Sequence, residues 1–275
     1  MFRTRLISGI VIVLLTLGLM MKGGIVLAAA LCVISLIAMY EFYRATGVTT
    51  QEPKKINAFE VVGLIGVVVY YAILVSPVNE LYLLLTLITL LITLMFVYVF
   101  TFPKYHARQL MAAFYGIVYA PVLMSFIYLT RMLPHGEYIV WLIFISSWMN
   151  DTCAYCVGVL IGKHKLAPKL SPHKSVEGSI GGVVGAAIVA GLFAFFLVEK
   201  VMQEQAIVPV FVLIGAVGAI VAQIGDLAAS AIKRNYEIKD YGKIIPGHGG
   251  ILDRFDSVIF TAPMIYFLAI IMVQL

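Results

Sequence analysis

Apolar residues fall in long blocks along the chain, separated by short polar segments. The blocks cover 6–21, 25–43, 56–76, 80–102, 109–130, 138–162, 178–198, 207–230 and 257–274. Most are roughly 18 to 25 residues long, which a helix needs to cross a hydrocarbon core of about 30 Å. Gly23 and Gly24, Pro53, Pro77, Pro103, Pro134 and Pro209 sit at or near the breaks, where helices end or begin. No repeat of 20 to 50 residues is visible. The pattern predicts an all-α, polytopic integral membrane protein with about nine transmembrane helices. It divides into N-terminal membrane helices over 1–130, about five spans, and C-terminal membrane helices over 131–275. The latter carries two polar loops, 163–177 and 231–256.

Composition agrees: 62% of residues are hydrophobic and only 12% charged, against about half and a quarter in a soluble domain. Charge then orients the helices. Sixteen of the 19 Lys and Arg residues fall in alternate inter-helix segments, leaving Lys22, Arg131 and Lys200 for the others. Positive residues collect on the cytoplasmic side, so the N-terminus is expected inside and the C-terminus outside. The net charge of +5 is then a consequence of topology and implies no nucleic acid. Arg3 and Arg5 before the first block resemble a signal peptide, but a second block follows at once, and the first is read as a retained helix. Cys153 and Cys156 form a CxxC within a membrane helix, where they read as packing residues rather than a redox pair or metal site. With no targeting extension, the expected location is the plasma (inner) membrane, with the active site facing the cytoplasm.

Acids are scarce, so their positions carry weight. Asp151 lies in the sixth block and Asp226 in the eighth, while Asp253 and Asp256 open the ninth. A carboxylate in a membrane helix costs about 2.5–3.5 kcal/mol at the centre and less near an end. If the eighth helix continues, Asp226, Ser230, Lys233 and Arg234 form one stripe, as do Asp151, Tyr155 and Gly158 on the sixth. Each acid also has a plain reading: Asp253 as a helix cap, Asp256 as a dipole partner, Lys233 and Arg234 as membrane-edge anchors. The loop KDYGKIIPGHGGILDRFD fits a plain connection less well. Gly242, Pro246, Gly247, Gly249 and Gly250 crowd around Asp240, His248, Lys239, Lys243 and Arg254. Glycines let backbone amides approach phosphates closely while basic residues neutralise their charge. The loop before the seventh block carries Lys169, Ser171, His173, Lys174, Ser175 and Glu177, and Gly178, Gly182 and Gly185 then suit close helix packing. Carboxylates with Lys and Arg at a membrane surface suggest a divalent cation and phosphates. On residues alone, the reading stops at metal-assisted phosphate chemistry on a lipid.

The stretch from Ser230 to Asp256 resembles the signature of the phosphatidate cytidylyltransferase (CDP-diglyceride synthase) family. Ser230, Lys233, Arg234, Lys239, Asp240, His248, Gly249, Gly250, Asp253, Arg254 and Asp256 fill its fixed positions. Asp151-Thr152 with Ala154-Tyr155, the SPHKSVEG segment and Gly225-Asp226 resemble further family elements. The resemblance implies transfer of CMP from CTP to phosphatidic acid, giving CDP-diacylglycerol and pyrophosphate, with Mg²⁺ and room for a second cation. It makes Asp226 and Asp253 the leading metal ligands, Asp256 a supporting one, and Asp151 and Asp240 further candidates. Lys233, Arg234, Lys239, His248 and Arg254, with Asp256, are expected at the reacting phosphates. Ser171, Lys174, Ser175, Glu177, Ser230, Lys243, Gly249 and Gly250 are expected to bind substrate. The implied partners are CTP, phosphatidic acid and membrane lipid, with a homodimer left open.

Two other readings remain at this point. A transporter would also bury acids and bases, though near the membrane midplane and with internal repeats. A CTP-dependent polyprenol or phytol kinase, or a CDP-archaeol synthase, would share the chemical setting.

Overall fold

The computed structural model describes residues 2–49, 57–79, 81–202, 207–247 and 249–273, with side chains from Ile7 onward. The described residues are almost entirely helical. In chain order the helices are α1 (Phe2–Lys22), α2 (Gly24–Thr46), α3 (Ala58–Leu74), α4 (Leu81–Phe100), α5 (Ala107–Met132), α6 (136–161), α7 (Val176–Met202), α8 (Ile207–Asn235) and α9 (Leu252–Met272). Six of them, α2, α4, α5, α7, α8 and α9, are long and apolar enough to cross a membrane. The apolar stretches Ile7–Lys22 and Ala58–Leu74 are shorter, and α6 falls outside the six. Large apolar side chains point outward along these helices, as Leu84, Leu85, Ile88, Ile92 and Phe96 do on α4. In water such a surface would be prohibitive; in lipid it is the expected exterior.

Three helices widen into π-type turns, at Val118–Val122 in α5, Ile145–Met149 in α6 and Ala194–Val198 in α7. The first contains Pro121, whose missing N–H and bulky ring the wider turn accommodates. Tyr71 Oη donates to the Pro121 carbonyl at 3.1 Å. The polar loop expected at 163–177 folds into an antiparallel pair, β1 (Lys165–Ala167) and β2 (Ser171–Ser175), with Lys165 opposite Ser175 and Ala167 opposite Ser171. Its tight turn closes with Leu170 N donating to Ala167 O at 3.1 Å.

The chain forms two compact units, Met1–Ser125 with Tyr236–Arg254, and Phe126–Asn235 with Phe255–Leu275. The first is built on aromatic packing. Phe42 meets Tyr119 at 5.6 Å, Tyr115 stacks on Tyr119 at 5.4 Å, and Tyr43 Oη donates to Ala113 O at 2.8 Å. In the second, small residues bring helix backbones together. A Cβ at Gly178 would stand 2.7 Å from Ala154 O, and one at Gly185 would stand 2.6 Å from Cys153 Cβ. Thus Gly178, Gly182 and Gly185 let α7 lie directly on α6, as their spacing predicts. The cysteines are free and Cys153 packs at this contact.

Candidate active site

In the second unit, α6, α7, α8 and the β hairpin enclose a cavity of about 480 Å³. Asp151, Tyr155 and Gly158 reach it from α6, Ser171, His173 and Lys174 from β2, and Asp226 from α8. The stripe expected on the sixth helix therefore faces one space. In its wall the Lys174 ammonium is hydrogen-bonded to the Asp226 carboxylate. Both side chains keep about a quarter of their surface exposed, 29% and 24%, so the pair is accessible from the cavity.

Two amides missed in the sequence reading line the same cavity and tie Asp151 to α7 and α8. Gln223 Nε2 donates to Asn150 Oδ1 at 2.7 Å and to Ser179 O at 2.9 Å, and Asn150 Nδ2 donates to Asp151 Oδ1 at 3.2 Å. Asn150 is 1% exposed, and burying an amide that deeply requires such partners. A signal was present: each amide lies in an apolar block within three residues of an acid, and Gln223 is one helical turn before Asp226.

Ser175 lines the cavity and also caps α7, its Oγ accepting from Gly178 N at 3.1 Å. Such a cap contributes about 1 kcal/mol. Glu177 is not among the cavity-lining residues. It accepts from Lys163 N at 3.1 Å and meets His164 Nδ1 at 2.6 Å, tying the hairpin's entry to the first turn of α7.

Helix α8 continues through the motif to Asn235, so Asp226, Ser230, Lys233 and Arg234 share it. Lys233 is buried, Ser230 half-buried and Arg234 exposed. A Cβ at Gly225 would stand 2.9 Å from Asp256 O and 3.0 Å from Phe260 Cβ. The glycine thus lets α8 touch α9 beside Asp226, and brings that acid close to Asp256. Asp226 and Asp151 both act electrostatically on the buried Asp256, with Lys233 opposing them. Among the described residues no three His, Cys, Asp or Glu side chains form a group that could hold a metal ion.

In the first unit, the loop between α8 and α9 forms a second cavity of about 520 Å³, lined by Lys239, Asp240, Gly242, Lys243, Gly249 and Arg254 among others. Lys239, Lys243 and Arg254 are exposed there. Gly247 and Gly249 have φ of 79° and 87°, a region that penalises any side chain. Asp253 is buried, and its Oδ2 accepts from Tyr241 N at 2.8 Å and Gly250 N at 3.0 Å. It therefore organises the loop, whereas the amides that open α9 are bound by another acid. Ile251 N and Leu252 N donate to Glu41 of α2 at 3.2 and 2.8 Å. Gly250 packs on Glu41 rather than lining the cavity. His248 lies outside the described residues.

Comparison with known proteins extends over nearly the whole chain. A family pattern described as "Cytidylyltransferase family" matches residues 3–272. The phosphatidate cytidylyltransferase of Bacillus subtilis (strain 168) is 31% identical over 277 residues, covering 97% of each chain. That of Staphylococcus aureus (strain COL) is 31% identical over 276 residues, covering 98% of this chain and 99% of the relative. The Staphylococcus epidermidis protein of the same name is 32% identical over 274 residues, with the same coverage.

Proposed function

The chain belongs to the cytidylyltransferase family, and on that premise we propose that it transfers CMP from CTP to phosphatidic acid, forming CDP-diacylglycerol and releasing pyrophosphate. The observation that carries this reading is the cavity in which Lys174 and Asp226 meet between membrane helices. It joins a cation able to bind a phosphate monoester to an apolar rim, where Tyr155 and Val159 are 73% and 68% exposed. A headgroup at Lys174, Ser171 and His173 would leave its acyl chains against that rim. Lys239, Lys243 and Arg254, set around a glycine-rich loop, supply the cationic cradle that suits nucleotide phosphates.

The reaction needs little acid–base help. A phosphate monoester is largely dianionic near neutral pH, because its second pKa is about 6. One of its oxygens attacks the α-phosphorus of CTP, the bond from that phosphorus to the bridging oxygen breaks, and pyrophosphate leaves with the electron pair. The protein's task is to hold two polyanions together and to offset their charge. Lys174, Lys233, Arg234, Lys239 and Arg254 are assigned that role, and His248 joins them on the resemblance.

A hard cation would suit three of the acids: Asp151 and Asp226 line one cavity, and Gly225 brings α8 onto Asp256 beside Asp226, while Mg²⁺ takes one or two carboxylates plus substrate phosphate. These three are the proposed ligands; Asp253 and Asp240 are added on the resemblance alone. When bound, Mg²⁺ would neutralise charge on the CTP phosphates. The Lys and Arg bias along the chain supports an N-terminus and polar loops facing the cytoplasm.

Purified protein in detergent, given phosphatidic acid, Mg²⁺ and CTP labelled at the α- or γ-phosphate, tests the reading. Lipid labelled from the α-position, with pyrophosphate released, is expected. Lipid labelled from the γ-position would make the protein a kinase and overturn it.

A further inference from the structure

Glu41 lies in the apolar run of α2 and takes no part in the chemistry proposed above, yet it is 2% exposed. Burying a carboxylate is costly unless hydrogen bonds replace its water. Here they come from the backbone. Oε1 accepts from Ile251 N at 3.2 Å and Oε2 from Leu252 N at 2.8 Å. Those amides open α9, where the first N–H groups of a helix lack partners and its dipole favours a negative charge. The loop is shaped to admit the carboxylate: a Cβ at either Gly242 or Gly250 would stand 2.6 Å from Glu41 Cδ. One turn further along α2, Arg44 Nη2 donates to Tyr241 O at 3.1 Å, and the Phe42 ring lies 6.4 Å from that of Tyr241. Asp253 grips the same segment through Tyr241 N and Gly250 N.

We propose that Glu41 is a positioning residue for the nucleotide-phosphate loop, a cap lent by α2 to the start of α9. By fixing Gly242, Gly250, Ile251 and Leu252, it sets where Lys239, Lys243 and Arg254 stand around their cavity. The inference rests on the reading of that loop as the phosphate cradle. It explains why an acid is buried in α2, far in sequence from the signature, and why Gly242 and Gly250 flank it.

The test uses the full-length protein in detergent with the variants Glu41→Gln and Glu41→Ala. KM is measured for CTP and for phosphatidic acid separately, and hydrogen–deuterium exchange is followed over 249–252 with and without CTP. Removing a partner from buried amides costs about 1–3 kcal/mol, so KM for CTP should rise about 5- to 100-fold in Glu41→Ala and less in Glu41→Gln, which keeps one acceptor oxygen. KM for phosphatidic acid should hold, and exchange over 249–252 should accelerate. Unchanged KM for CTP and unchanged exchange in active variants would overturn the role of Glu41, as would a loss confined to thermal stability. If Glu41→Ala does not fold, the near-isosteric Glu41→Gln decides on the same two readouts. A wild type that turns over CTP but gains no protection in this loop from CTP would instead overturn the cradle reading.

Discussion

Lys174 and Asp226 stand 52 residues apart in sequence and share one hydrogen bond. Each was identifiable beforehand as a charged residue in a place where charges are scarce, but nothing in the spacing joined a hairpin lysine to an α8 acid. Since each side chain is the other's partner, removing either leaves a partly buried charge exposed to the loss of its counter-ion. Lys174→Ala and Asp226→Asn should each lower kcat/KM by about 100-fold or more, and the double variant should fall far short of their product. A double-mutant cycle on the labelled-CTP assay measures this; additive losses would mean that the two act independently. Asp253→Asn should abolish turnover while the protein stays folded, because the amide oxygen still accepts from the loop. Near-normal activity in that variant, with an unchanged melting curve, would remove Asp253 from the site. Glu41 shows the reverse side of legibility. It sits in the sequence as a lone acid in an apolar helix, yet its partners are backbone amides 210 and 211 residues away, and amides carry no sequence signature.

At the level of elements, periodicity located the helices to within a few residues, and failed where local and tertiary forces diverge. The ninth helix begins at Leu252, ahead of its apolar block at 257–274, and it is Glu41 rather than the candidate cap Asp253 that binds its first amides. The segment 163–177 reads as solvated loop by composition, but Glu177 pins its entry and Ser175 caps α7, so the chain between them pairs as two short strands. Gly225 is the element contact on which the acid cluster depends. Gly225→Leu would drive a side chain into the Asp256 carbonyl and Phe260, at a cost of about 1–3 kcal/mol if the helices can adjust. A lower melting temperature together with lost turnover is expected. A variant of wild-type stability and activity would show that α8 and α9 need not approach there.

For the molecule as a whole, the exposed apolar belt predicts retention in the membrane fraction after an alkaline carbonate wash. Release into the supernatant would contradict a membrane-spanning fold. Chelation probes the proposed cation: EDTA should remove cytidylyl transfer and added Mg²⁺ should restore it, while the melting temperature moves little, since Asp226 keeps Lys174 as its partner. Full activity after exhaustive chelation would exclude the metal from the reaction.

The sequence by itself determined the solvent in which this chain folds and the family to which it belongs. Long apolar blocks can be satisfied only as membrane helices, because lipid offers no partner for an open backbone, and the signature from Ser230 to Asp256 is contiguous enough to be read directly. It also placed the small residues that let α7 lie on α6, since helical spacing alone puts them on one face. Tertiary structure alone decided which charges meet. Asp151, Lys174 and Asp226 come from three separate elements, and Asn150 with Gln223 holds Asp151 across helix contacts. Glu41 reaches the signature loop from the second helix of the chain. Hydrophobic periodicity is a local property and survives in the string of residues; the pairing of buried polar groups is set by packing distance, which the string does not contain.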